Sequence, residues 1–330
     1  MAWRIIFPEK GRVAFEKFSL QSPGATDVRV RTLFSLMSIG TETTILAGKY
    51  APDTHFARMF SFPQLKTGVQ AVGIVEEVGT AVSEFGPGDR IFMRMAHGSE
   101  QVLAAESCTI VPDAIDAESA CWCGLAKTAF RAAWAAPFTL GASVLIIGAG
   151  PVGQMAVRWA TTAGVGELTV VDLSALRLEH ASRGGATRVM PGDVSEHFPG
   201  IASMADGKGP EIVVDATGHP PVFQHALAAS ARFGKVLLLG DTGFPAEQRL
   251  SSDVMTKGLT IQATHDSHER GGWSQRRVDR LFFDSVQNGT FDPSGLITHR
   301  FSPGDCDKAY ALAIEARQET MGILFDWSMI

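Results

Sequence analysis

The feature that most constrains this chain is a strand–turn–helix pattern near its middle. Ser143-Val144-Leu145-Ile146-Ile147 is a continuous apolar run, suited to a strand covered on both faces. Gly148-Ala149-Gly150-Pro151-Val152-Gly153 follows at once, and a helical pattern opens at Pro151 and runs to Ala163. A G-x-G-x-x-G between strand and helix predicts dinucleotide binding for physical reasons. Gly148 allows the tight turn, and Gly150 lets the backbone approach a pyrophosphate. Gly153 lets helix and strand pack closely, with the phosphates facing the helix N-terminus across Pro151 and Val152. The next strand, Leu168–Val171, ends at Asp172, 19 positions beyond Gly153. A carboxylate there accepts both ribose hydroxyls and repels a 2′-phosphate, so NAD is the expected cofactor. A glycine turn with no ligand is the alternative.

Strand and helix keep alternating after the fingerprint. Leu176–Arg183 reads as a helix, and Ile212–Val214 and Val236–Leu239 read as strands, which indicates a parallel, doubly wound α/β sheet. Two turns follow the later strands, Asp215-Ala216-Thr217-Gly218 and Gly240-Asp241-Thr242. At the carboxyl ends of such a sheet, Thr217, Gly240 and Thr242 are expected to line the nicotinamide half of the site; ordinary strand-to-helix turns are the competing explanation. The first third has a different texture. Val28–Leu33 alternates at period two, Gly73–Gly79 is a β-branched run between glycines, and Gly86-Pro87-Gly88-Asp89 places a tight turn before another strand. That is a small β-barrel in expectation. Near residue 115 an Ala-rich helical stretch begins at Asp116 and runs to Ala136. Beyond Thr264 come a polar loop, a helix over 278–288 and short terminal strands.

With 330 residues and roughly 150 per domain as a prior, two domains are expected. The boundaries read as 1–117, 118–263 and a return segment 264–330. The net charge of −6 gives no footprint for nucleic acid, and no stretch approaches the ~20 apolar residues of a membrane helix. The N-terminus becomes charged at once, so no signal peptide is expected. Four cysteines at irregular spacing fit a reducing, cytoplasmic setting.

A β-rich front followed by this fingerprint resembles the medium-chain dehydrogenase/reductase superfamily, which includes the zinc alcohol dehydrogenases. The likeness rests on Ile39-Gly40-Thr41-Glu42, on Gly68-Val69-Gln70-Ala71-Val72-Gly73 and on Val82 through Arg90. It extends through the fingerprint, Asp172 with Arg177, and Ile297-Thr298-His299-Arg300-Phe301. It implies a GroES-like β-barrel catalytic domain, completed by the C-terminal segment, together with a Rossmann domain. A homodimer acting on a small molecule is implied as well. Ser38–Glu42 with Gly48 is also similar to the matching stretch of bacteriochlorophyllide dehydrogenases.

The departures from the family pattern bear on chemistry. Where zinc members place a ligand Cys and a ligand His, this chain has Ile39 and Val69, and only Cys123 survives of the third position. One thiolate cannot replace three protein ligands, and the four-cysteine structural lobe is missing, so a zinc-free member is expected. Hydride transfer then needs other donors at the substrate oxygen. Thr41 occupies the place of the family's proton-relaying hydroxyl, with helix capping as the alternative. Lys127 lies one turn beyond Cys123, where relatives pass the nicotinamide, and reads either as an alkoxide stabiliser or as a solvated helix lysine. His97, on a shortened loop, is a candidate proton acceptor or an inert loop histidine. His265 and Asp266 follow the last Rossmann strand and are expected to border the nicotinamide and substrate or a subunit contact, and Tyr50 reads either as pocket wall or as packing. The His265-x-x-His268 pair lacks a third metal partner. The function expected is NAD(H)-dependent, zinc-independent interconversion of a secondary alcohol and a ketone in an interdomain cleft. A reductase of quinones or enones and a non-catalytic nucleotide-binding regulator are the alternatives.

Overall fold

The computed structural model of the protein describes residues 1–269 and 271–330. Its backbone divides into two units, Met1–Gly124 with Trp273–Asn288 and Pro293–Ile330, and Leu125–Gly272 with Gly289–Asp292. In the first unit the chain forms β1 (Ala2–Glu9), β2 (Arg12–Phe18), β3 (Asp27–Leu36), α1 (Ile39–Leu46) and α2 (His55–Met59). It continues through β4 (Leu65–Lys66), β5 (Ala71–Val78), β6 (Arg90–Met93), β7 (Glu100–Ala104) and β8 (Cys108–Ile110). The period-two pattern of β3 has its predicted consequence. Val28, Val30 and Thr32 are buried on one side while Arg31 between them is exposed. β3 pairs antiparallel with both β5 and β7, which makes it the spine of the larger sheet of this unit.

Where the sequence predicts one helix over 116–136, there are two, α3 (Ala117–Ala120) and α4 (Cys123–Ala135). Asp116 caps α3 by accepting the Ser119 N–H at 2.8 Å. Cys121 and Cys123 flank the break, and both are buried, as small core residues are. The unit boundary falls inside α4, between Gly124 and Leu125, rather than at 117. Gly124 stands at it, but inside a helix, where it makes no turn that would mark the boundary.

The second unit carries β9 (Ser143–Ile147), α5 (Pro151–Thr162), β10 (Glu167–Asp172), α6 (Ala175–Arg183), β11 (Arg188–Pro191), β12 (Ile212–Asp215), β13 (Lys235–Leu238) and β14 (Thr260–Ala263). These six strands pair in parallel in the order β11-β10-β9-β12-β13-β14. Every residue of β9 is buried, which explains its unbroken apolar run. Strand order reverses between β9 and β12, the place where an open α/β sheet binds its ligand. The chain returns to the first unit at Trp273, later than residue 264, with β15 (Ile297–Phe301) and β16 (Gly322–Asp326). β16 pairs antiparallel with β3, so the C-terminal segment completes the first unit's sheet.

Candidate active site

At the switch point of the second unit, Gly148 turns with φ +93° and Gly150 is the N-cap of α5. A Cβ on Gly153 would overlap the carbonyl oxygen of Gly148, so only glycine permits this approach of helix to turn. Asp172 ends β10, and its carboxylate holds the turn, with Oδ2 accepting the Ala149 N–H at 2.6 Å and Oδ1 the Ser174 N–H at 2.7 Å. Each oxygen keeps a lone pair for a further donor such as a ribose hydroxyl. Arg177 Nη1 lies 3.6 Å from where a Cβ of Gly150 would stand, which puts a guanidinium beside the mouth of the turn. A glycine cradle at a helix N-terminus, a ribose-directed carboxylate and a cation together fit a dinucleotide.

The later turns are built from the same strand ends. Asp215 Oδ1 accepts the Thr217 N–H at 2.8 Å and its hydroxyl at 2.6 Å, and the Gly240 N–H donates to the Asp215 carbonyl at 2.9 Å. Thr217 is therefore committed to the turn. Burial pushes the Asp215 carboxyl up, and hydrogen bonds from Thr217 and Gly218 only partly oppose it. Thr242 keeps its hydroxyl unpartnered among the described residues. His265 is exposed, and its N–H donates to His268 Nδ1 at 3.1 Å, while its own Nδ1 contacts Ser267 Oγ at 2.7 Å. The histidine pair thus closes a turn; among the described residues no group of three or more His, Cys, Asp or Glu is placed to hold a metal. Lys127 is not a solvated helix lysine. It is 3% exposed on α4, with Nζ 3.2 Å from Asp266 Oδ1, and Thr128 Oγ1 donates to the same oxygen at 3.3 Å.

In the first unit, Thr41 lies in the first turn of α1, one residue before Glu42. The N-cap is Ser38, so Thr41 does not cap the helix. Tyr50 is half-buried in an aromatic cluster with Phe56 and Phe60, at centroid distances of 5.8 and 5.9 Å. His97 is a fully buried residue rather than an exposed loop histidine. Its Nδ1 meets Ser35 Oγ at 2.7 Å and its Nε2 meets Glu42 Oε2 at 3.2 Å. Glu42 is buried too, and accepts from Thr67 Oγ1 at 2.6 Å, from Tyr310 and from the Ser38 N–H at 2.7 Å. Burial alone raises the Glu42 carboxyl; the His97 ring and hydrogen bonds from His97, Thr67 and Tyr310 outweigh it and hold the group below the usual carboxylate range. Tyr310 moves the other way, pushed well up by burial and by the neighbouring Glu42.

Glu42, Tyr310, Thr67 and Ser35 were not predicted as site residues. Tyr310 had a signal in being one of only two tyrosines, both of which sit beside the segment of interest. At the positions where zinc relatives place ligands, Ile39 and Val69 are hydrocarbon and cannot donate to a metal, which leaves the buried thiol of Cys123. This donor set does not fit a catalytic zinc.

Comparison with known proteins agrees with this architecture. Residues 24–144 match the alcohol dehydrogenase GroES-like domain, and residues 151–276 match the family described as zinc-binding dehydrogenase. The chain belongs to the medium-chain dehydrogenase/reductase superfamily. It is 29% identical over 174 residues to an L-threonine 3-dehydrogenase of Bacillus licheniformis, covering 53% of this chain and 49% of that one. The chain thus spans about half the length of the curated relatives it matches. In three dimensions it is similar to an Escherichia coli oxidoreductase/dehydrogenase of unknown specificity involved in membrane biogenesis. The TM-score is 0.86 at 19% identity, covering 98% of this chain and 99% of that one. It is also similar to a zinc-binding dehydrogenase from Sinorhizobium meliloti bound to NADP, with a TM-score of 0.82 at 19% identity and 99% of each chain covered.

Proposed function

We propose that the protein is an NAD(H)-dependent oxidoreductase that interconverts a secondary alcohol and a ketone without a catalytic zinc. The observation that carries this reading is the pairing of an intact dinucleotide cradle with hydrocarbon side chains at positions 39 and 69. Gly148, Gly150 and Gly153 would admit the pyrophosphate at the N-terminus of α5, Arg177 would face it, and Asp172 would take the ribose hydroxyls. The Asp172 carboxylate favours NAD over NADP because it repels a 2′-phosphate. A nicotinamide bound there supplies the two-electron partner for the carbinol carbon.

The chain's own groups then handle the charge and the proton. In the oxidation direction the hydride would leave the carbinol carbon for the nicotinamide and the hydroxyl proton would leave to solvent water, with the Thr41 hydroxyl as the proposed relay. The Lys127 ammonium, held by Asp266, would supply positive charge for a developing alkoxide. His97 cannot act as the base, because both ring nitrogens are occupied in the core. The relatives named L-threonine 3-dehydrogenase support a secondary alcohol as the substrate class, since the 3-hydroxyl of threonine is one. A cytoplasmic homodimer is part of the same reading. The reducing compartment is in keeping with four buried cysteines that form no disulfide among the described residues.

The test is turnover by purified protein of a panel of secondary alcohols, including L-threonine and 2,3-butanediol, with NAD⁺ and with NADP⁺. Alcohol-dependent formation of NADH is expected. Reduction of enones or quinones with no alcohol oxidation would replace this reading by a C=C or quinone reductase. Tight NADH binding with no turnover would replace it by a regulatory role.

A further inference from the structure

One buried carboxylate in the first unit joins four segments of the chain. Glu42 Oε1 accepts the backbone N–H of Ser38, the residue that starts α1, at 2.7 Å. Its Oε2 faces Thr67 Oγ1, the Tyr310 hydroxyl and His97 Nε2. Trp327 Nε1, which can only donate, gives its hydrogen to Ser35 Oγ at 2.9 Å, and the same oxygen meets His97 Nδ1 at 2.7 Å. On the other side of the ring, Nε2 faces the Glu42 carboxylate, which can only accept, so Nε2 carries a hydrogen pointing at Glu42.

Gly68 belongs to this arrangement. It has φ +95°, and a Cβ there would stand 2.6 Å from the His97 nitrogen and 2.7 Å from its ring Cγ. The imidazole thus fills the space that a side chain at 68 would need, and Phe325 closes it edge-on with ring centroids 4.9 Å apart.

We propose that His97 is a positioning residue which, through the hydrogen on its Nε2, fixes the first turn of α1, and with it Thr41, by orienting Glu42. This rests on Thr41 being the substrate contact, but the position of the ring hydrogen and the order of α1 can be measured without any substrate. Removing the Nε2 donor leaves Oε2 with two of its three donors, Thr67 and Tyr310, so the carboxylate is held less tightly and the Ser38 N–H bond loosens with it.

The experiment combines ¹⁵N-histidine NMR of the wild-type protein with hydrogen exchange of the peptide covering 37–46 in His97→Gln and His97→Asn. The amide nitrogen of Gln lies near the place of imidazole Nε2 and keeps the donor to Glu42; that of Asn lies near Nδ1 and does not. The expected results are a hydrogen on Nε2, exchange in His97→Gln close to wild type, and exchange in His97→Asn faster by about tenfold or more. In turnover of a secondary alcohol with NAD⁺, kcat should fall on the order of 10- to 100-fold for Asn and much less for Gln. An Nε2 without a hydrogen, or equal exchange in the two variants, overturns the proposal. If the wild type oxidises no alcohol, the proposed reaction fails, while NMR and exchange still decide the positioning role.

Discussion

Lys127 Nζ lies 3.2 Å from Asp266 Oδ1, and the two residues come from the helix α4 and the loop that follows β14. The lysine is almost sealed from solvent, while Asp266 keeps a fifth of its side-chain surface exposed. A buried ammonium needs an opposite charge nearby, and this carboxylate stabilises its charged form. Under the proposed reaction, in which this charge acts on a developing alkoxide, Lys127→Met should lower kcat by about 100-fold while leaving NADH affinity within about threefold. Stopped-flow turnover beside fluorescence titration of NADH separates the two; full activity would return Lys127 to a packing role. Asp266→Asn should cost up to about 3 kcal/mol of unfolding free energy, toward the low end of what breaking a buried pair costs, because solvent reaches Asp266.

Gly153→Ala should abolish nucleotide binding. Its methyl would overlap the Gly148 carbonyl, so the turn or the helix must shift. The overpacking costs about 1–3 kcal/mol, visible as a lowered Tm, and isothermal titration with NADH should show no binding. Wild-type affinity in the variant would mean that the turn is not the cradle.

The cradle was legible in the sequence because all its parts are local. Strand, glycines, helix and Asp172 lie within thirty residues, and each glycine has a geometric reason for its place. The Glu42 site was not legible, because its partners are brought together only by the fold. His97 is 55 positions from Glu42, and Tyr310 is 268 positions away on a helix of the return segment. A histidine between two short strands carries no periodicity to mark it as buried, so it reads as an exposed loop residue. The unit boundary is hard to read for a related reason: a helix crosses it, so Gly124 at that place belongs to a helical run and signals no turn.

Asp172→Ala should lower the preference for NAD⁺ over NADP⁺ by about tenfold or more, since the carboxylate that repels a 2′-phosphate is removed. Affinity for both should also weaken, because Asp172 holds the Ala149 and Ser174 N–H groups that shape the turn. The ratio of kcat/KM for the two cofactors is the measurement. An unchanged ratio places the ribose contact elsewhere.

Metal analysis of protein purified without chelators should find zinc well below one equivalent per chain, and activity should survive 1,10-phenanthroline. The physical ground is the donor set, since hydrocarbon side chains at 39 and 69 leave a single thiol where three ligands are required. One full equivalent of zinc, with activity lost on chelation, would sink the zinc-free reading.

Stability should fall at acid pH in a way that Glu42 controls. Its carboxyl is held below the usual carboxylate range in the folded protein, so the folded state binds its proton less readily than the unfolded chain. A depressed acid contributes stability that is present above its unfolded value and is lost as pH falls through its folded value. The contribution is thus complete at neutral pH and fades below about pH 4.5. Glu42→Gln removes the titrating group and leaves an amide whose NH2 must meet a donor whichever way it turns, the Ser38 N–H on one side or Thr67, Tyr310 and His97 on the other. The variant should be less stable than wild type at pH 7, and the gap between them should narrow as pH falls below 4.5. Urea unfolding at a series of pH values measures it; a gap that stays constant down to pH 3 would mean that Glu42 is not held ionised in the core.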